Sequence, residues 1–332
     1  MPRRGVVVEP PPEPAAPRQR RKPGIAILGC LALLVMSVLL ASMPSRRRTS
    51  LRAARSRGDG RILYVAITHA KNHALARVAD RTWGRRARAA GAPVVWYSTA
   101  PDAVLRPRVV LAADGADSSY ENLTLRMLRV WEDVMTEFPG FDWYVRVWDD
   151  NYVVHENVAA MAALFNASEP VEIGRVHINA VEPLGPFVDG GGGSLLSGEA
   201  AARFNATRCE AFARSFPGAD GCRFSCEDAW ISKCREREGV RAISRRGFMH
   251  GSPAELGYTD RQAWCHCPFR ETTGDGVLPH ESGPAALQPL VMHYMTAGTM
   301  ASLDRVWYSH AVAAGGERDP GWFCGWVCQD AP

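Results

Sequence analysis

The chain has no Cys-x-x-Cys pair, no internal repeat and, beyond residue 58, no surplus of positive charge. Structural zinc sites draw on paired cysteines at that spacing, so a zinc-held fold is not expected. Without a repeat, solenoid and propeller architectures fall away. The formal net charge is +4, yet residues 1–58 hold 12 Lys/Arg against Glu9 and Glu13. The remainder carries 27 basic and 33 acidic residues, so the part that folds is mildly acidic. That distribution lacks the basic footprint of a nucleic-acid-binding protein. What is present over 332 residues is 46% hydrophobic and 22% charged. Such a balance builds a sizeable core in one large or two medium domains, and argues against disorder, collagen-like repeats and a multi-span membrane protein.

Gly24 to Met43 is a run of 20 residues without a charge, bounded by Pro23 and Pro44. A hydrocarbon core of ~30 Å needs about 20 apolar residues in a helix, so this segment is long enough to span. It is long and uninterrupted for a signal-peptide core, and Arg46-Arg47-Arg48 stands where a small-residue cleavage site is wanted. A cleaved signal is the lesser alternative. Six basic residues precede the run and six follow it, which leaves the positive-inside rule undecided. Two other features orient the chain. The N-glycosylation sequons at Asn122, Asn166 and Asn205 all follow the run. Apart from Cys30 inside it, the eight cysteines (Cys209, Cys222, Cys226, Cys234, Cys265, Cys267, Cys324 and Cys328) cluster in the C-terminal half, as suits disulfides in an oxidising lumen. Their pairing is left open. The expected layout is a single-pass type II protein with residues 1–22 as cytosolic tail, 23–44 as signal-anchor and 45–60 as stem. Residues 61–310 form the lumenal domain, and 311–332 a tail containing Trp322, Cys324, Trp326 and Cys328.

From Arg61 the pattern is that of an α/β domain. Ile62 to Ile67 is a near-continuous apolar run, as in a buried parallel strand. A helical stretch from Ala74 to about Ala90 follows, then a strand over Pro93–Tyr97. Asn122 to Phe138 has the clearest helical period, with Leu123, Met127, Val130, Trp131, Val134 and Phe138 on one face. Trp143 to Val147 reads as a strand running into Asp149 and Asp150. Alternating strands and helices imply a mostly parallel sheet, with ligands bound at the C-terminal strand ends. Acids at such an end can hold Mg²⁺ or Mn²⁺ against nucleotide phosphates, although Asp-Asp-Asn is equally good turn chemistry.

The segment Asp142-Trp-Tyr-Val-Arg-Val-Trp-Asp-Asp-Asn-Tyr-Val-Val resembles the signature strand of the fringe and core 1 β1,3-galactosyltransferase family. The likeness runs over roughly residues 61–310. Ile62 to Trp83, with Thr68 after the strand and Arg81-Thr82-Trp83, is similar to the family's first strand and Thr-Trp element. Glu169-Pro170 to Gly174-Arg175 matches the stretch after the acidic motif. Gly190–Gly193 with Ser-Leu-Leu-Ser and Glu199 to Phe204 resembles its glycine loop and following helix. Cys226-Glu227-Asp228 with Cys234 is similar to its Glu-Asp motif, Phe248-Met-His250 to a Phe-His pair, and Met292-His293-Tyr294 with Met300 to its Phe-His-Tyr…Met segment. The order and spacing fit core 1 galactosyltransferases better than fringe proteins.

The resemblance implies a GT-A nucleotide-sugar fold and an inverting transfer from a UDP-sugar in the Golgi or endoplasmic reticulum membrane. Asp150 and His293 would hold Mn²⁺ (or Mg²⁺), with Asp149 beside them. Asp228, or Glu227 next to it, would be the general base. Thr68, Asp149, Gly191 and Gly192 would line the nucleotide-sugar, and Trp264 would face the acceptor. Taken without the resemblance, His293 and Trp264 read as core residues, Gly190–Gly193 as a slack loop and Glu227-Asp228 as acids at a helix N-terminus. The expected partners are a UDP-sugar donor, a glycoprotein or glycan acceptor, the membrane through one N-terminal helix, and a second copy in a homodimer. The leading expectation is galactose transfer from UDP-galactose to O-linked N-acetylgalactosamine. The rivals are a fringe-like N-acetylglucosaminyltransferase and a catalytically silent partner of another transferase. Trp148 motivates the last, because it stands where the family has its first acid, and Asp189 stands where a Ser is usual.

Overall fold

The computed structural model describes residues 60–111, 122–181, 184–215, 226–245, 247–249 and 290–313. The expected tail, signal-anchor and all but the end of the stem lie outside them, as do Trp264, His250, the residues after Ala313 and six of the nine cysteines. Among the described residues no helix is long and apolar enough to cross a membrane.

β1 (Ile62–Ile67) is buried at every position and pairs in parallel with β2 (Val94–Ser98) and β4 (Trp143–Trp148). β3 (Arg108–Val109) continues that parallel run beyond β2. On the other side β9 (Ser194–Ser197) lies antiparallel to both β4 and β6 (Val171–Gly174), and β10 (Arg241–Ser244) pairs in parallel with β6. The result is a mixed seven-stranded sheet, ordered β10-β6-β9-β4-β1-β2-β3, with the expected parallel centre and one antiparallel strand inserted. A small sheet of β5 (Tyr152–Val153), β12 (Val291–Met292) and β11 (Phe248–Met249) sits beyond β4, and β7 (Val176–Val181) and β8 (Gly185–Val188) form a hairpin.

Alternating residues of β1 and β4 feed two cores, one on each face of the sheet. Tyr64, Val145 and Val147 pack with Trp83 and Val158, while Leu63, Val65 and Tyr144 pack with Trp131 and Leu128. Burying each such side chain contributes about 1.5–3 kcal/mol, which holds the strand ends in fixed register. The first face is covered by α1 (His73–Ala79), α2 (Arg85–Ala89), α4 (His155–Ala163) and α8 (Ala297–Ala313). The helix expected from Ala74 to Ala90 is thus present, but a wide turn over Asp80–Gly84 splits it and turns Thr82, Trp83 and Gly84 all inward. The opposite face carries α3 (Leu123–Glu137), α5 (Gly198–Arg203), α6 (Ala206–Ser215) and α7 (Glu227–Arg237). The apolar stripe of α3 is buried from Leu123 to Val134, and Phe138 packs beside it. A Cys209–Cys234 disulfide joins α6 to α7. The domain boundary expected after residue 310 falls inside α8, which continues to Ala313.

Candidate active site

The C-terminal ends of β1 and β4 lie side by side, which brings Thr68 against Asp149. Thr68 Oγ1 donates to Asp149 Oδ2 at 2.6 Å. Asn72 and the His69 backbone N–H also bond this carboxyl. Burial nevertheless dominates, and with the charge of Asp150 nearby it pushes Asp149 up to about 6. Asp149, 5% exposed, is therefore committed to the floor of the site. Asp150 faces the other way. Its carboxylate Oδ2 lies 3.3 Å from His293 Nε2, and its carbonyl accepts the Met295 N–H at 2.9 Å. The small sheet creates this meeting: Met292 pairs with Tyr152, so the next residue along β12 lies beside the acidic turn before β5. The His293 N–H is meanwhile fixed on the Met249 carbonyl at 3.1 Å.

Among the described residues no cluster of three or more His, Cys, Asp or Glu side chains is placed to hold a metal. The Asp150–His293 pair nonetheless fits a hard divalent cation. Two neighbouring ligands about 2.1 Å from an octahedral ion are roughly 3 Å apart, and the remaining positions suit oxygens of a ligand and water. Asp149, expected beside them, accepts hydrogen bonds from Thr68, Asn72 and the His69 N–H.

The glycine run closes over these acids and is far from slack. The Gly190 N–H donates to Asp228 Oδ2 at 3.0 Å and the Gly191 N–H to Asp189 Oδ1 at 2.9 Å. Asn151 Nδ2 holds the Gly191 carbonyl at 2.9 Å, and the Trp148 indole N–H holds that of Gly190 at 2.9 Å. A Cβ at Gly191 would strike His293 Cε1 and lie 2.6 Å from its Nδ1, while one at Gly190 would lie 2.6 Å from Glu227 Oε1. Close approach therefore demands glycine at both positions. Gly192 packs against the Phe248 backbone.

Glu227 and Asp228 open α7, where the helix dipole favours acids. They are held very differently. Glu227 receives Arg146 Nη1 on both carboxylate oxygens, at 3.1 and 2.9 Å, and is 4% exposed. Burial raises its pKa against the pull of Arg146. Asp228 reaches the rim of the site and is held by two backbone N–H groups, those of Gly190 and Ala229. Burial, with the charge of Asp189, raises its pKa despite those donors. A second buried pair, Arg235 with Glu172, lies behind, and the Arg235 guanidinium sits 4.7 Å over the Trp131 ring. Removing one partner of such a pair costs about 3–5 kcal/mol.

Thr68, Asp149, Asp150, Gly191, Gly192, Glu227, Asp228 and His293 thus converge at one edge of the sheet. Of the sequon asparagines, Asn166 and Asn205 are exposed, whereas Asn122 is half-buried with Thr124 buried behind it. Sequence reasoning missed Arg146 and Arg126. Both had a signal, an arginine set in an apolar pattern: Arg146 within a buried strand, Arg126 in the inward stripe of α3.

An α/β sheet with its acids and a tight glycine run gathered at the carboxyl ends of its strands defines a ligand-binding sheet edge. The particular family follows from comparison: the chain belongs to the Fringe-like family, whose model matches residues 60–250. It is 28% identical over 160 residues to chondroitin sulfate synthase 3 of Mus musculus, covering 43% of this chain and 18% of that protein. It is 25% identical over 179 residues to glycoprotein-N-acetylgalactosamine 3-beta-galactosyltransferase 1 of Xenopus laevis, covering 49% of this chain and 44% of that protein. The chain therefore spans less than half the length of these relatives. The solved galactosyltransferase LgtC, in complex with donor and acceptor sugar analogs, overlaps 74% of this chain and 95% of its own at a TM-score of 0.41 and 10% identity, a likeness too slight to build on.

Proposed function

We propose that this domain is a GT-A-type inverting β1,3-glycosyltransferase of the Golgi or endoplasmic reticulum membrane. The reaction we assign is transfer of galactose from UDP-galactose to O-linked N-acetylgalactosamine on a glycoprotein. Family membership and the kinship with a galactosyltransferase support this reading. The observation that carries it is the convergence of Asp150, His293, Asp228 and the glycine run at one sheet edge. Asp150 and His293 are the residues that would hold Mn²⁺ or Mg²⁺, which when bound neutralises charge on a departing diphosphate. Asp228 is the general base: it is reachable, and its raised pKa makes it a better proton acceptor than an ordinary carboxylate. It takes the proton of the acceptor hydroxyl as that oxygen bonds to the anomeric carbon and the sugar–phosphate bond breaks, releasing UDP. Glu227, with both oxygens on Arg146, positions the α7 terminus. Gly190 and Gly191 let the backbone close on the donor.

Trp148 favours a second reading, a silent family member that partners an active transferase, because an indole replaces an acid there. The two are separated by calorimetry of UDP binding to the secreted domain, with and without Mn²⁺, followed by a screen of donors and acceptors. Metal-dependent binding and turnover, abolished in Asp150→Ala with secretion intact, is the expected result. Undiminished turnover by that variant would overturn the metal assignment, and no UDP binding under either condition would favour the silent partner. UDP-N-acetylglucosamine outcompeting UDP-galactose would point to fringe-like specificity.

A further inference from the structure

Arg126 lies three residues after Leu123 and four before Val130, in the stripe of α3 that turns toward the sheet. It is 7% exposed, yet among the described residues it makes no hydrogen bond and no ion pair. The other deeply buried arginines on this side are paired, Arg146 with Glu227 and Arg235 with Glu172. A guanidinium presents five N–H donors and stays charged, and none of the Arg126 nitrogens is wholly shut off from solvent, so this nearly buried group has donors to offer and no protein acceptor for them. A buried charge left open in this way is ordinarily completed by something that binds.

Its surroundings place it at the site. Along β4 the side chains of Tyr144, Arg146 and Trp148 alternate onto the face that α3 covers, and Tyr144 and Trp148 pack in the same cluster as Leu123 and Met127. The acids that act on Arg126 are Glu227, at the start of α7, and Asp149, at the end of β4. Neither makes a hydrogen bond or an ion pair with it: Glu227 turns both oxygens to Arg146, and Asp149 accepts from Thr68. Trp148, the next side chain on that face, offers only an N–H, and the Gly190 carbonyl takes it. Among the described residues, therefore, no acceptor pairs with the Arg126 guanidinium.

We propose that Arg126 is an oxyanion-binding residue of the donor site, taking a phosphate or carboxylate oxygen of the bound nucleotide sugar through its planar fork. The fork matches either group with two parallel hydrogen bonds, which a lysine cannot reproduce. The proposal rests on the nucleotide-sugar reading above and adds a recognition element to it.

The experiment is calorimetric titration of the secreted domain with UDP, UDP-galactose and UDP-glucuronate in Mn²⁺, with uridine as the neutral control. Wild type is compared with Arg126→Gln and Arg126→Lys, each checked by thermal melting. At least a tenfold loss of affinity in Arg126→Gln is expected, with an intermediate loss in Arg126→Lys and unchanged uridine binding. An equal loss for all three anionic ligands assigns the oxyanion to the diphosphate. A loss confined to UDP-glucuronate assigns it to a sugar carboxylate. Wild-type affinities retained in Arg126→Gln for every ligand would overturn the proposal alone, as would a loss that includes uridine. A wild-type domain that binds none of the three would overturn the nucleotide-sugar reading and this proposal with it.

Discussion

Trp148 donates its indole N–H to the carbonyl of Gly190 at 2.9 Å, tying the end of β4 to the first residue of the glycine run. The indole is thus part of the site's construction. Its backbone N–H is fixed as well, on Asn151 Oδ1 at 2.7 Å, and Asn151 in turn holds Gly191. Trp148→Phe keeps an aromatic ring at this position but removes the indole N–H and its hydrogen bond, worth about 0.5–1.5 kcal/mol. Donor KM is expected to rise several-fold while kcat and melting temperature change little. Steady-state kinetics with UDP-galactose checks this, and an unchanged KM would show that the tie does not position the loop.

The pH dependence of stability follows from Asp149 and Glu227. Burial pushes Asp149 up to about 6 and raises Glu227 as well. From about pH 4 up to the raised native values, about 6 for Asp149 and about 7 for Glu227, the native state keeps protons that the unfolded chain has released. Their contribution to stability is complete below that window and is lost as pH rises through the native pKa. For Asp149 the shift corresponds to about 3 kcal/mol. Asp102 has the opposite sign, since its hydrogen bond to Arg77 lowers its pKa, and its contribution is lost only on stronger acidification. The metal-free domain should therefore melt several degrees higher at pH 5 than at pH 8. Asp149→Asn, which mimics the protonated form, should flatten that slope.

The elements that carry their own signal were legible before any coordinates. β1 and β4 are central parallel strands buried on both faces, so they appear as apolar runs, and α3 shows its stripe because one face packs on the sheet. The turn at Asp80–Gly84 was not legible, because burying Thr82 and Trp83 together is decided by β2 and α8 packing from outside the segment. The site follows the same division. Taken alone, Asp149-Asp150 and the glycine run read as a turn and a slack loop, and the resemblance gave them, with His293 and Asp228, their place in a site. The partners that tune them did not appear, because they are distant in the chain: Thr68 and Asp149, like Arg146 and Glu227, are 81 residues apart. The resemblance set Asp149 beside the metal, and spacing alone could not show that Thr68, Asn72 and His69 hydrogen-bond its carboxyl.

The Cys209–Cys234 disulfide closes a loop of 25 residues between α6 and α7. Because the second cysteine lies on the helix that opens with Glu227 and Asp228, the crosslink steadies the helix that carries Asp228 as well as the fold. Restricting an unfolded loop of that size is worth about 3 kcal/mol. Cys209→Ser with Cys234→Ser should lower the melting temperature by several degrees and reduce secretion. Reductant should lower the wild type by more than it lowers the double variant, in which only the remaining disulfides can respond, and differential scanning fluorimetry reads the difference directly.

Gly191 offers the sharpest test of the site because its constraint is local. Its φ is not in the left-handed region, so alanine introduces no backbone strain. The added methyl instead meets the His293 ring at Cε1 and Nδ1, and His293 is the group that faces Asp150 at 3.3 Å. His293 can yield only by moving away from that carboxylate, since its own backbone is fixed by Met249. Gly191→Ala is therefore expected to cut kcat/KM at least tenfold and to raise the Mn²⁺ concentration needed for half-maximal activity, with a loss of stability under about 1–3 kcal/mol. Gly192, whose nearest neighbours would be 3.4 Å from an added Cβ, is the matched control. Gly192→Ala should keep the wild-type metal dependence, and equal losses in the two variants would show that the loop tolerates no side chain for reasons unrelated to His293.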